Sequence, residues 1–257
     1  MSLKSACVLT AAFAAASSAS ATILYSTGFE SPPFTVGSSV NGIDGWLNGS
    51  GGGVSQSVST AQAASGSNSL LFDNSSLFSF YSVRHNLGGW NGQDILKVST
   101  KLYVDGSTQA NRLYGLYLTN VAAGRLGSTT LGLSIGGDGI VRAGKNWAAT
   151  YENPGIIGTA GAGTFTDRWL TIEFLMNATT GNADVTISGF SDASSINSSF
   201  SGVSIPLNLN LDSDYFDTTN RAGKGYFDDL SIEYIPTPGA IALLSMGALA
   251  GLRRRRD

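Results

Sequence analysis

Cysteine is almost missing: Cys7 is the only one in 257 residues, which excludes an intrachain disulfide and a site of several thiolates. Histidine is as scarce. His85 stands alone, so no metal centre built on several imidazoles can form. Charge is thin too, with Asp, Glu, Lys and Arg together at 13%. Leaving out residues 1–21 and 236–257, the body holds 10 basic residues against 17 acidic ones, a net of −7. A chain of that sign without a basic face is not built for nucleic acid. Glycine is plentiful, at 33 residues. A low-charge chain rich in Gly, Ser and Thr that keeps its aromatics suits many short strands joined by tight turns.

Both ends carry addresses. Residues 1–21 have the order of a secretory signal peptide: Lys4, the apolar stretch Ala6 to Ala16, then Ala19-Ser20-Ala21 as an A-x-A cleavage site before Thr22. Cleavage there removes Cys7 and leaves a mature chain without thiols. At the other end, Pro236-Thr237-Pro238 precedes an uncharged run, Gly239–Leu252, and then Arg253, Arg254, Arg255, Arg256 and Asp257. Fourteen residues cover about 21 Å as a helix, and eighteen counted from Ile235 about 27 Å. The longer count approaches the roughly 30 Å of a hydrocarbon core if the arginine stems snorkel. The arginines stay cytoplasmic by the positive-inside rule. This three-part order resembles the PEP-CTERM sorting signal of bacterial envelope proteins, with Thr237 where that family has a glutamate. The resemblance implies an exosortase-type protease as partner and transient anchoring in the inner membrane. It also implies a final place in the envelope, on the outer surface or in the extracellular matrix. A plain tail anchor is the alternative.

Between the ends, Thr22 to Ile235 form one domain of about 214 residues, long enough for a substantial β core. In Ile95–Val104 the residues Leu96, Val98, Thr100, Leu102 and Val104 share one face, with Lys97, Ser99, Lys101 and Tyr103 opposite. That period of two marks a half-buried strand. Further strands are expected at Ile23–Glu30, Val54–Thr60, Ser69–Asp73, Leu77–Leu87, Leu113–Thr119, Leu131–Ile135, Ile140–Ala143, Arg168–Met176, Ala183–Gly189 and Gly225–Ile235. Gly37–Gly53 is expected as an ordered loop pinned by Trp46. The hairpin Trp169–Met176, Asn177 to Asn182, Ala183–Gly189, preceded by the Leu131–Ala143 pair, is similar to the central hairpins of concanavalin-A/laminin-G-like jelly rolls. Phe227-Asp-Asp-Leu-Ser-Ile232 resembles the closing strand of carbohydrate-binding members, which pairs with the first strand. The fold expected is therefore an all-β antiparallel jelly-roll sandwich.

Chemistry is sparse. The Gly-x-Ser-x-Gly string Gly132-Leu-Ser-Ile-Gly136 falls within the strand expected at Leu131–Ile135 and not on a strand-to-helix elbow, so it offers no nucleophile to His85. The Glu-x-Asp-x-x-Glu strand of laminarinase-type glycosidases is absent: Leu175 stands two places after Glu173, and Asp228-Asp229 has the wrong spacing. Gly51-Gly-Gly53 and Gly136-Gly-Asp-Gly139 lack the Lys-Ser/Thr and helix of a phosphate loop. Oxygen ligands suit calcium, and Glu30, Asp228 and Asp229 belong to strands the jelly roll makes neighbours, so they are the metal candidates, with solvated loop acids as the plain alternative. Asp212, Asp214 and Asp217 have an acidic rhythm without the glycine and glutamate of an EF-hand. Tyr103, Tyr114, Trp90 and Trp147 are candidates for stacking on sugar rings, against ordinary core packing. The expectation is an exported, non-catalytic protein, structural or glycan-binding. The alternative is an atypical polysaccharide-active enzyme on the same scaffold.

Overall fold

Alternation of apolar and polar residues recurs through the body, and each alternating run can bury one face only against a second sheet. A computed structural model describes residues 20–50, 56–75, 80–88, 90, 94–120, 129–147, 155–215, 217 and 219–236. The signal-peptide reading through Ala19, and all of the sorting tail after Pro236, lie outside the described residues. Among those described, no helix is long and apolar enough to cross a membrane. The strands are β1 (Thr22–Thr27), β2 (Trp46–Ser50), β3 (Gln56–Ser59), β4 (Ser69–Asp73), β5 (Tyr81–Asn86), β6 (Ile95–Val104), β7 (Arg112–Thr119) and β8 (Thr129–Gly136). They continue with β9 (Ile140–Trp147), β10 (Gly155–Thr159), β11 (Trp169–Asn177), β12 (Asn182–Ser188), β13 (Ser195–Phe200), β14 (Asn208–Tyr215) and β15 (Lys224–Ile235).

Two antiparallel sheets stack face to face. The first runs β13-β12-β11-β6-β15-β4-β3, with β1 also on β15; the second runs β10-β9-β8-β7-β14-β5-β2. Leu96, Val98 and Leu102 of β6, Leu170, Ile172, Phe174 and Met176 of β11, and Val185 and Ile187 of β12 are all fully buried. They meet Leu116 and Leu118 of β7, Leu131, Leu133 and Ile135 of β8, and Leu209 and Leu211 of β14 in one core. The β11–β12 hairpin has the expected register, Phe174 opposite Val185 and Ile172 opposite Ile187. The first strand does pair with the last, Thr22 opposite Tyr234.

Four strands have no counterpart among those expected. Residues Trp46–Ser50, expected inside a loop, form the edge strand β2, although Trp46 is fully buried as the pinning reading requires. The others are β10, β13 and β14, and β14 lies in the interior of the second sheet. Asp212 and Asp214 therefore sit on a strand and are buried, not on a solvated loop.

The edge of β15 is shared. Lys224 to Phe227 pair with β4, and Leu230 to Tyr234 with β1. Between these stretches the β15–β6 register shifts from Asp228 to Ser231, and Asp229 has a positive φ of 44°. This is a bulge with its extra residue in the left-handed region, where Asp is tolerated better than most side chains. Thr100 Oγ1 donates to Asp228 O across it at 3.0 Å.

Candidate functional site

In the second sheet the residues between the core positions point to the outer face, and they are polar. Leu209 and Leu211 face the core, so Asn208, Asn210, Asp212 and Asp214 face outward. The registers line up Arg84, Asn210, Tyr117, Gly132 and Gly144 as one row across β5, β14, β7, β8 and β9. The adjoining row is Ser82, Asp212, Gly115, Ser134 and Arg142. Seven strands at about 4.8 Å spacing make this face roughly 29 Å across. Leu47 and Ile156, on the edge strands β2 and β10, are exposed apolar residues at its two ends, paired with Arg84 and Arg142.

The middle of this face is buried. Ser82, Tyr117, Thr119, Thr130, Ser134, Arg142, Asn210 and Asp212 are each at most 5% exposed. Some of their groups are satisfied. Asn210 Nδ2 donates to Thr119 Oγ1 at 3.0 Å, and Thr130 Oγ1 donates to Leu118 O at 3.1 Å. Arg142 pairs with Asp138 at 3.6 Å. Asn210 Oδ1, Ser134 Oγ, and Arg84 Nε and Nη1 are buried with no hydrogen-bond partner. Such orphaned groups are uncommon, and each costs about 1–3 kcal/mol. Glycines set the contour: a Cβ on Gly115 would lie 2.8 Å from Ser134 Cβ, and one on Gly49 3.2 Å from Asn210 Oδ1. The arrangement sets an acceptor, a hydroxyl and a cation, each short of a partner, along two adjoining rows of one face.

The expected metal candidates do converge, at the junction where β1 and β4 share β15. A Cβ on Gly28 would have Asp228 Oδ1 at 3.4 Å, Asp229 Oδ1 at 3.8 Å and Glu30 Cγ at 3.8 Å. Four of their six oxygens, however, are engaged by donors. Glu30 Oε1 accepts from Ser67 N and Asn68 N, both at 2.8 Å. Asp228 Oδ2 accepts from Ala64 N at 2.7 Å and Ser65 N at 3.2 Å, Asp228 Oδ1 from Asp229 N at 2.8 Å, and Asp229 Oδ1 from Ser65 Oγ. Calcium needs six to eight oxygen ligands. Here hydrogens point at the carboxylates, and no group of three or more His, Cys, Asp or Glu close enough to hold a metal occurs among the described residues. The cluster fits a clamp on residues 64–68, the turn that leads into β4, and does not fit calcium. Burial raises the Asp228 pKa to about 6, partly offset by its three backbone donors.

The aromatic candidates scatter. Tyr114 is fully buried in the core, and Trp90 packs against the core half-buried. Tyr103 lies on the outer face of the first sheet, 5.5 Å from Trp169 and 5.7 Å from Tyr226 between ring centroids. The Trp147 side chain is outside the described residues. The His85 ring stacks on Tyr25, and its Nδ1 and Nε2 face the carbonyls of Asn86 and Asp44. Sequence reasoning did not find Arg84, Tyr117, Ser134 or Asn210. The signal was present in Asn208-Leu-Asn-Leu-Asp-Ser-Asp214, a strict alternation whose Asn and Asp argue against a strand by propensity.

Comparison of the sequence with known protein families and with curated proteins finds no match. Solved structures do match. A carbohydrate esterase from the Shiga toxin-encoding bacteriophage phi24B superposes with a TM-score of 0.56 at 16% identity, over 85% of this chain and all of that one. The endo-1,3-beta-glucanase of Streptomyces sioyaensis gives 0.53 at 11%, over 84% and 97%. Arcelin-5, a lectin-like defence protein of Phaseolus vulgaris, gives 0.51 at 8%, over 85% and 100%. At these identities the likeness establishes a shared jelly-roll sandwich.

Proposed function

We propose that the protein is an exported, non-catalytic glycan-binding sandwich of the cell envelope or extracellular matrix. The observation that carries this reading is the outer face of the second sheet, where Asn210 Oδ1 and Ser134 Oγ are buried without partners among glycines that leave the floor low. Sugar hydroxyls both donate and accept, so they satisfy these atoms in a way an apolar ligand does not. The lectin-like neighbour supports the assignment by its fold. Thr22 is the first residue of β1, so cleavage after Ala21 leaves the sandwich whole, which supports the export reading. Sorting rests on Pro236-Thr237-Pro238, the apolar run and the four arginines, with an exosortase-type protease as partner.

The test is a glycan array probed with the full chain, followed by Asn210→Ala. Binding to at least one glycan class, weakened about tenfold by loss of a hydrogen-bonding group worth roughly 1.4 kcal/mol, supports the reading. No binding to any glycan removes it.

The enzyme alternative has one observation in its favour. Asp212 and Asp214 stand two residues apart on the same outer face of β14, and paired carboxylates are what glycoside hydrolysis needs. Release of reducing ends from a bound polysaccharide, abolished by Asp212→Asn, would replace binding with catalysis.

A further inference from the structure

We infer that the β2–β5 end of this face selects acidic glycans through Arg84, an inference that rests on the glycan-binding reading. Arg84 alternates with the core residue Val83, so its side chain projects from the outer face, and Asn210 is its cross-strand partner. Nε and Nη1 are buried with no hydrogen-bond partner, whereas the other guanidinium on these two rows, Arg142, has Asp138 as its counter-ion. Asp212 is on the adjoining row, one rung from Arg84, and is itself engaged. Arg84 is also the cation at the edge of the closed region. It is half-buried where the middle of the face is closed, and its cross-strand neighbour Leu47 is exposed.

Two guanidinium nitrogens buried without acceptors are costly in the free protein, and a ligand that supplies acceptors gains from that cost. Its planar donors match an oxyanion with two or more oxygens in one plane, taken as a fork. Asn210 Oδ1, on its cross-strand partner, is an unmatched acceptor for a neighbouring hydroxyl. The ligand with this chemistry is a polysaccharide bearing an anionic group next to free hydroxyls, either the carboxylate of a uronate or a sulfate ester. The net charge of −7 on the body makes the selection local, because a general field of that sign repels the same ligand beyond the Debye length of about 8–10 Å only weakly.

The experiment measures binding of the full chain to polygalacturonate, to dextran sulfate and to a neutral glucan of similar length. The wild type is expected to bind one or both acidic polymers at least tenfold more tightly than the neutral one, and less tightly as salt rises. Binding to polygalacturonate alone identifies the uronate carboxylate, and to dextran sulfate alone the sulfate ester. Arg84→Ala and Arg84→Met should lose the acidic preference without lowering the melting temperature, since no protein partner is removed. Arg84→Lys should recover only part of it. Lys97→Ala, a cation on the outer face of the first sheet, should change nothing. Equal affinity for acidic and neutral polymers, or an acidic preference that survives Arg84→Met, overturns the inference. A neutral glucan bound through Asn210 leaves glycan binding standing while this inference falls, and failure to bind any polymer ends both.

Discussion

Tyr25 stacks on His85, with ring centroids 4.0 Å apart and planes inclined by 23°. Tyr25 belongs to β1 in the first sheet and His85 to β5 in the second, so the stack ties the sandwich layers at one end. Around it, Tyr25 Oη donates to Asp44 Oδ2 at 2.8 Å, and Trp46 Nε1 donates to Tyr25 Oη at 2.9 Å. Burial lowers the His85 pKa from its ordinary 6.5, against the two carbonyls and Asp44, which pull it up.

A depressed histidine pKa makes the neutral ring the folded form. Its contribution to stability is complete above pH 6.5 and is lost as pH falls through the folded value. Thermal melts should therefore show the wild type losing stability below pH 6.5 relative to His85→Gln. Parallel curves for the two proteins would show that His85 does not titrate in this window.

Trp46 fills the same end of the core. Trp46→Ala is expected to cost about 3–5 kcal/mol. Trp46→Phe, which gives up the donor to Tyr25 but leaves Tyr25 bonded to Asp44, should cost less than half as much. Urea denaturation of both variants measures the difference, and equal losses would mean that the hydrogen bond outweighs the packed volume.

Asp228 works in the opposite sense to His85. Its pKa is raised to about 6 by burial, so its contribution is complete below the ordinary carboxylate value and is lost as pH rises through about 6. Asp228→Asn should flatten the stability profile between pH 4 and pH 7. Asp228→Ala leaves the Ala64, Ser65 and Asp229 N–H groups unpaired and should cost about 1–3 kcal/mol. A chelator should leave the wild-type melting temperature unchanged. A chelator-dependent drop that disappears in Asp228→Ala would restore a cation to the cluster.

At Gly115 a Cβ would meet Leu133 O at 2.3 Å and Ser134 Cα at 2.9 Å, both backbone atoms. Gly115→Ala should therefore destabilise by about 1–3 kcal/mol through strain between β7 and β8. A melting curve equal to the wild type would mean that the two strands can separate locally without cost.

Strands whose apolar residues are Leu, Ile, Val and Phe were legible from the sequence, and Ile95–Val104 matches residue for residue. The strand β14 was not. Its outward positions are Asn and Asp, which read as turn formers because propensity registers the side chain and not its cross-strand neighbours. The convergence of Glu30, Asp228 and Asp229 followed from pairing the first strand with the last. What they hold did not, because most of the donors are backbone N–H groups of residues 64–68, distant in sequence and carrying no side-chain signal of the contact. Arg84 escaped for a similar reason: its lack of a partner is a property of the assembled sheet.

The pairing of Thr22 with Tyr234 also sets how the domain bears load. Pulled apart by its own two ends, the sandwich opens like a zip, one β1–β15 rung at a time, and yields at low force. Pulled from residue 236 against a ligand held on the second sheet, β15 is drawn along its length, and its nine paired rungs with β6 resist together. The same strand yields in the first direction and holds in the second.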